Sequence, residues 1–254
     1  MQIDINRLFV STVAGDARET ATEHGLGLEI AEFCTAMNMD DDFAAWDAKV
    51  RGEIDGVSRV AFHAPFNELC PAAIDPKVLQ IARERYRQAA KLAYAYGARR
   101  MVVHSGYVPL VYFKGYFHEK SVIFWTELLA DIPDDMTLLL ENVLEDEPRL
   151  DAQIVAEVND PRLRLCFDIG HANTIASDVP IDEWITAVAP YLGHLHLHNN
   201  YRDWDHHNPP GDGTIDMVPA LTRLLNEAPD FTITLESIES APAAKWLRDN
   251  GFIV

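Results

Sequence analysis

Six short apolar stretches of this 254-residue sequence end in, or contain, an acidic residue or a histidine. Carboxylate and imidazole groups without thiolates suit divalent cations such as Mn²⁺, Mg²⁺, Zn²⁺, Fe²⁺ or Co²⁺, and the same groups transfer protons in general acid–base catalysis. Any one of them is more often a helix cap or a hydrogen-bonded core histidine, but all six directed at one place would be costly without a cation. The pattern therefore predicts a metal centre. Its residues are His63, His104, Glu141, Asp168, the alternating histidines His194, His196 and His198, and Glu236.

These apolar stretches, with two more near the start of the chain, predict eight β-strands. They are rich in Val, Ile, Leu and Phe and mostly lack polar alternation, which is typical of parallel strands covered on both faces. Amphipathic segments between them predict helices, the clearest with Asp75 as N-cap, Pro76 in its first turn and Gly97 as C-terminal cap. The predicted strands are residues 3–9, 27–33, 58–62, 100–104, 137–141, 163–168, 193–199 and 232–236, and the other predicted helices are residues 119–130, 150–158, 181–188, 217–227 and 243–250.

Eight strands alternating with helices predict one α/β domain over residues 1–254, a closed (β/α)8 TIM barrel. A doubly wound open sheet is the alternative, but no Gly-rich phosphate turn follows the first predicted strand. In a barrel the carboxyl ends of all eight strands surround one mouth, where catalytic residues lie. Along the seventh strand, His194, His196 and His198 face the same way at intervals of about 6–7 Å, so spacing alone leaves open which of them reaches the mouth.

A second group of polar residues lies in loops that follow predicted strands. His171 comes three residues after Asp168, and Asp205 and His207 lie in a loop that contains the rigid turn sequence Pro-Pro-Gly-Asp-Gly. His171, Asp205 and His207 could bind a further cation together. An ordinary polar loop explains the last two residues equally well.

Charge and composition argue against several functional classes. Forty acidic against 21 basic residues give a net charge of −19, which repels polyanions and argues against nucleic-acid binding. No apolar run approaches the about 20 residues of a membrane-spanning helix, and the first residues do not resemble a signal peptide, so we expect a cytoplasmic protein without a membrane association. Cys34, Cys70 and Cys166 are odd in number and widely spaced, which predicts reduced core thiols.

Six motifs between residues 60 and 237 carry a family resemblance. They are Phe62-His63-Ala64-Pro65-Phe66, Leu140-Glu141-Asn142, Phe167-Asp168-Ile169-Gly170-His171, His196-Leu197-His198-Asn199-Asn200, the loop Pro-Pro-Gly-Asp-Gly-Thr-Ile-Asp at 209–216, and Leu235-Glu236-Ser237. As a set they resemble the xylose isomerase-like TIM-barrel superfamily. The resemblance implies a divalent cation held by Glu141, Asp168, His196 and Glu236. His196 is indicated because the family's ligand precedes a Leu-x-Asp/Asn step, and His198 is the alternative.

Sugar isomerases and epimerases form one branch of this superfamily. The resemblance to them implies that Glu141 and Glu236 transfer a proton by way of a metal-stabilised enediolate. It also implies that His63 and His104 bind substrate hydroxyls, with Phe66 and Trp204 as apolar walls. The implied substrate is a sugar, a sugar phosphate or a keto-acid, and a homo-oligomer remains open.

Endonuclease IV, a three-zinc phosphodiesterase that acts at abasic DNA sites, represents a second branch. All nine of its metal-binding positions have a suitable residue in this chain, which would allow up to three zinc ions. The net charge and the short loops favour the sugar branch, and a metal-dependent dehydratase or lyase is a third alternative. The nine residues are His63, His104, Glu141, Asp168, His171, His196, Asp205, His207 and Glu236.

Overall fold

The computed structural model describes residues 2–228 and 230–254, and its centre is a closed barrel of eight parallel strands. The strands follow chain order, and the eighth pairs with the first to close the barrel. The prediction of a (β/α)8 barrel is confirmed, and the open sheet is excluded. The strands are β1 (Leu8–Ser11), β2 (Gly27–Ile30), β3 (Val60–His63), β4 (Arg100–His104), β5 (Thr137–Glu141), β6 (Leu163–Asp168), β7 (Leu192–Leu197) and β8 (Thr232–Leu235).

One α-helix follows each strand. The helices predicted from amphipathic patterns are present, but α1 and α2 were not predicted. The first buries only Ala17, Thr20 and Ala21, and the second buries only Val50, so neither presents the broad apolar stripe on which such a prediction depends. The helices are α1 (Ala17–His24), α2 (Phe43–Ile54), α3 (Pro76–Ala95), α4 (Lys114–Leu129), α5 (Arg149–Val158), α6 (Ile181–Val188), α7 (Met217–Glu227) and α8 (Ser240–Asp249).

The ends of α3 follow the signals in the sequence. The carboxylate of Asp75 accepts the backbone N–H of Lys77 at 2.8 Å, and Pro76 occupies the first turn. After the helix, Gly97 has φ +86°, a conformation that costs glycine little because it has no Cβ. Both predicted caps are confirmed.

The first predicted strand, residues 3–9, is wrong in its first half. The side chain of Asp4 accepts the backbone N–H of Asn6 at 2.9 Å, and Ile5–Arg7 form a short 3-10 helix. This local side-chain hydrogen bond competes with extended pairing, as aspartate commonly does. The observed strand therefore begins only at Leu8. The strands that end on Glu141 and Asp168 have the predicted bounds.

Both faces of the barrel strands are buried, which explains their lack of polar alternation. On β5, Leu138 and Leu140 belong to the large core under the helices, whereas Leu139 joins Val102 and Cys166 in a separate cluster. All three cysteines are free, but only Cys166 is fully buried, so Cys34 and Cys70 are not core thiols. Within the described residues, no helix has the length and apolarity to cross a membrane.

Candidate metal centre

The carboxyl ends of β5 to β8 bring four residues to one buried group at the barrel mouth. Strand register places Asp168 beside His196, and Glu236 directly follows β8. One ligand atom from each of Glu141, Asp168, His196 and Glu236 lies within 4.8 Å of all the others. The structure thus brings together the four residues that the sequence resemblance implied.

His196 lies at the middle of this group. Its Nδ1 atom is 3.1 Å from Glu141 Oε1 and 2.8 Å from Glu236 Oε2. The same nitrogen is 3.6 Å from Asp168 Oδ2. Ligand atoms bound at about 2.1 Å to one ion are about 3.0–3.4 Å from each other, so these separations resemble those of a coordination shell.

Two carboxylate oxygens in the group have no hydrogen-bond partner. Oε2 of Glu141 and Oε2 of Glu236 are both buried and unpaired, even though imidazole nitrogens lie nearby. The imidazole nitrogens are within hydrogen-bond distance of these oxygens, but their directions do not suit a hydrogen bond. Burying a carboxylate oxygen in this way is costly unless a cation compensates it. The donor set and its orphaned atoms therefore fit a divalent cation.

The electrostatics of the site keep Glu141 and Asp168 ionised. Burial by itself would raise the pKa of Glu141, but the positive charges of His196 and His104 outweigh it and hold that pKa well below its usual range. For Asp168 the same balance holds, with His171 and His198 opposing burial and lowering the pKa. Ionised carboxylates are the form that binds a cation.

Two histidines from β3 and β4 approach Glu141 from its other side. The Nε2 atoms of His63 and His104 lie 3.3 Å and 3.2 Å from Glu141 Oε2. The single unpaired oxygen of Glu141 thus faces both rings. Glu141 is consequently shared between this pair and the four-residue group.

A third cluster forms where the loops after β6 and β7 meet. Asp205 Oδ2 lies 3.1 Å from His171 Nε2 and 2.9 Å from His207 Nε2, while its Oδ1 is unpaired. His198 also reaches this cluster. The two loop residues that sequence alone left ambiguous therefore lie within reach of one cation.

Three of the flanking histidines share an orientation that suits metal binding. The Nδ1 atoms of His63, His171 and His207 lie 2.9, 2.9 and 2.8 Å from the backbone carbonyls of Ala64, Asn142 and Glu236. An Nδ1–H that donates to a carbonyl leaves Nε2 free to bind a cation. Each free Nε2 faces a carboxylate.

The structure separates His196 from His198. His198 Nε2 lies 2.9 and 3.0 Å from the two oxygens of Asp168, and its Nδ1 is 3.8 Å from Asp205 Oδ1. Its ring occupies the space above Gly170, where a Cβ would stand only 2.0 Å from the ring. His196, not His198, therefore joins Glu141 and Glu236 in one group.

A buried carboxylate that sequence analysis missed lies beneath His196. Oε1 of Glu29, on β2, is 3.0 Å from His196 Nε2, while its Oε2 is 3.1 Å from His194 Nε2 and accepts the hydroxyl of Thr234 at 2.6 Å. Glu29 thereby fixes the ring of His196 with Nδ1 toward the cluster. A charged residue inside an otherwise apolar strand was the signal that could have identified it.

The two predicted apolar walls differ in position. Phe66 stacks on His104 with ring centroids 4.2 Å apart and planes 7° from parallel. Trp204, by contrast, is 68% exposed. The first lies against the site, and the second stands in solvent at the rim of the mouth.

A family model described as xylose isomerase-like TIM barrel matches residues 21–251. The chain belongs to this family. Membership accounts for the barrel and for the order of the motifs along the chain. An uncharacterised protein of Methanocaldococcus jannaschii is 29% identical to this chain over 196 residues, which cover 73% of this chain and 67% of that protein.

Solved structures with the same barrel include a D-tagatose 3-epimerase-like protein, with a TM-score of 0.75 and 24% identity over 96% of each chain. A Thermus thermophilus protein soaked with ZnCl₂ also has a TM-score of 0.75, with 23% identity over 96% of this chain and 98% of the other. The IolI protein with a bound zinc atom has a TM-score of 0.70, with 17% identity over 93% and 91%. At these sequence identities the similarity shows that the proteins share a fold.

Proposed function

We propose that this xylose isomerase-like protein is a divalent-metal-dependent isomerase or epimerase of a sugar, sugar phosphate or keto-acid. The observation that carries the proposal is the group of four buried ligand atoms with unpaired oxygens on Glu141 and Glu236. Structural neighbours described as a D-tagatose 3-epimerase-like protein and a D-allulose 3-epimerase agree with it.

Glu141, Asp168, His196 and Glu236 would hold the cation. When bound there, it supplies electrophilic stabilisation of negative charge on the carbonyl and hydroxyl oxygens of a substrate. Burial of all four side chains excludes water from that charge and strengthens the stabilisation.

In this proposal Glu141 and Glu236 act as a pair of proton-transfer groups. Glu141 ends β5 and Glu236 directly follows β8, three strands further around the barrel, so they approach the centre from different sides. One carboxylate takes the proton from the carbon beside the carbonyl, and the electron pair of that C–H bond moves onto the carbonyl oxygen. The other carboxyl, carrying a proton, returns it to the opposite face of the same carbon, which inverts its configuration. Return to the neighbouring carbon would give isomerisation instead.

The test measures exchange of the substrate's carbon-bound proton with D₂O by NMR, across a panel of ketoses, their phosphates and keto-acids, with Mn²⁺ or Co²⁺ added. We expect exchange with the wild type and a loss of at least 10²-fold in Glu236→Gln, which cannot accept the proton. Glu239→Gln is the matched control, because Glu239 is exposed beyond the site, and it should retain full exchange. Undiminished exchange in Glu236→Gln would refute the assigned role. Product analysis on the same samples separates epimerisation from dehydration.

A second candidate is a multi-zinc phosphodiesterase, and a specific observation favours it. All nine implied ligands lie in three adjoining clusters, two of which share Glu141, while His171, Asp205 and His207 belong to the third. Several zinc ions in such a set supply both an activated water and neutralisation of a leaving oxygen. The net charge of −19 opposes a DNA substrate, so a small phosphodiester suits this candidate better.

Metal content per chain, measured by elemental analysis on protein purified without chelator or metal-binding tag, separates the two candidates. About one equivalent supports the epimerase, and about three of zinc, with hydrolysis of bis(4-nitrophenyl) phosphate, supports the phosphodiesterase. His207→Ala should then remove one equivalent. His206→Ala is the control, since His206 Nε2 pairs with Asp203 at 2.9 Å rather than with Asp205.

A further inference from the structure

A cleft of about 260 Å³ opens beside the metal centre, between the loops that follow β3, β4 and β5. His104, which faces Glu141 at 3.2 Å, forms part of its wall. Through His104 the cleft adjoins the place where we propose that a substrate reacts. Its remaining walls are mainly aromatic and aliphatic, including Phe66, Leu69, Tyr107 and Tyr112.

Apolar side chains at the lip of this cleft remain in water. Val108 is 40% exposed, Val111 is 65% exposed and Leu144 is 43% exposed, and all three line the opening. Exposed apolar groups scattered singly are ordinary, but several around one concave site are typical of a binding surface. Covering them with an apolar group would be favourable.

The backbone of the same loop is strained. Val108 to Val111 form a turn in which the Val111 N–H donates to the Val108 carbonyl at 3.2 Å, and Leu110 has φ +66°. Glycine or asparagine normally occupies such a position, because the Cβ of a bulky residue crowds the backbone in a left-handed conformation. Leu110 is fully exposed, so packing of its side chain does not offset the strain. Strain held in a loop at a site mouth is typical of a ligand-binding segment.

The charges around the cleft limit what can enter it. Among its lining residues Glu68 is the one carboxylate, and none is Lys or Arg. A phosphate group needs cationic or N–H donors, and among these side chains only the imidazole of His104 offers one. The occupant that fits is uncharged and apolar.

Resting on the proposed function, we infer that the substrate carries an uncharged apolar substituent, of about the size of a substituted phenyl ring, which occupies this cleft. A cavity of about 150 Å³ holds benzene, so 260 Å³ admits a ring with small substituents. The polar, reacting carbons would then lie at the metal centre, past His104. An unsubstituted short sugar would leave the apolar lip uncovered.

The test titrates 4-fluorobenzyl alcohol into the metal-free and metal-loaded protein and follows binding by ¹⁹F NMR. We expect saturable binding in both, and about tenfold weaker binding in Val111→Glu and in Leu144→Glu, because each removes one apolar contact. Both side chains are exposed, so the fold should persist. Ile175→Glu is the matched control, because this substitution adds the same charge outside the cleft. Ile175 lies in the loop after β6 and is 79% exposed. Inorganic phosphate is the negative control and should not compete.

Three outcomes would overturn the inference. They are no saturable binding to the wild type, equal weakening in Ile175→Glu, or displacement of the probe by phosphate. A wild-type dimer that binds no probe and dissociates on Val111→Glu would assign the lip to self-association instead. Because the probe needs neither turnover nor metal, these results stay separate from the proton-exchange test. Binding without exchange would leave the cleft in place and refute the epimerase.

Discussion

Replacing Glu29 tests whether a residue that touches no substrate determines the affinity of the metal centre. Glu29 is fully buried, and its Oε1 lies 3.0 Å from Nε2 of His196. In Glu29→Gln the amide oxygen can still accept from His196, while the amide nitrogen replaces the oxygen that now accepts from Thr234 and lies beside His194. The substitution therefore removes a negative charge while it keeps the hydrogen bond to His196.

The structure sets the magnitude of the effect. The charge of Glu29 acts across one hydrogen bond of 3.0 Å and one imidazole ring, about 7 Å from a cation bound by His196 Nδ1. At an effective dielectric constant of 20 it contributes about 2 kcal/mol for each unit of the cation's charge. Replacing such outer partners of a ligating histidine typically weakens metal binding 10–100-fold, or by about 1.4–2.8 kcal/mol. We expect a loss in this range for Glu29→Gln, and a larger one for Glu29→Leu, which also removes the acceptor.

Isothermal titration of Mn²⁺ or Zn²⁺ into the metal-free protein measures the affinity. Long-range ¹H–¹⁵N correlation spectra of the histidine rings report whether His196 keeps its proton on Nε2. Glu32→Gln is the control, since Glu32 is a buried carboxylate that pairs instead with Lys49 at 2.9 Å. Unchanged affinity in Glu29→Gln and Glu29→Leu, with both variants folded, would refute the positioning role of Glu29.

Three further predictions concern stability. Burial, reinforced by Glu145 and Glu147, raises the pKa of Asp151 well above its usual value. The contribution of Asp151 to stability therefore falls as pH rises above the unfolded value of about 3.9. In urea unfolding, Asp151→Asn should be more stable than the wild type at pH 7 but not at pH 3.5. Leu110→Gly should stabilise the fold by up to about 1 kcal/mol by relieving the strained turn, and an unchanged or lower melting temperature would contradict this. Adding metal at 100 times its Kd should stabilise by about 2.7 kcal/mol, or about 5–10 °C in Tm. EDTA should reverse that shift, and Glu236→Gln should show less of it.

The order of the strands and helices, and the end of the barrel at which the site lies, could be predicted from local sequence. The apolar runs that end on His104, Glu141 and Asp168 have the predicted bounds. Each of these strands is apolar because the helices cover one of its faces and the barrel interior covers the other. Parallel strands in a barrel end at one rim, so the type and order of the terminal residues were enough to predict where the polar groups gather. Helices α1 and α2 were missed because they bury too few residues to leave a periodic pattern.

The atoms that meet across the barrel were decided by the tertiary structure. His196 and His198 have the same spacing and face in the sequence. Only the stagger of β7 against β6 and β8 places His196 among Glu141, Asp168 and Glu236, whereas His198 contacts only Asp168 of these three carboxylates. The contact between Glu29 and His196 joins residues 167 positions apart, and the apolar cleft is formed by three loops that no local pattern relates. Local sequence records how far each residue is buried, whereas the partner of a buried group depends on the tilt and stagger at which the barrel closes.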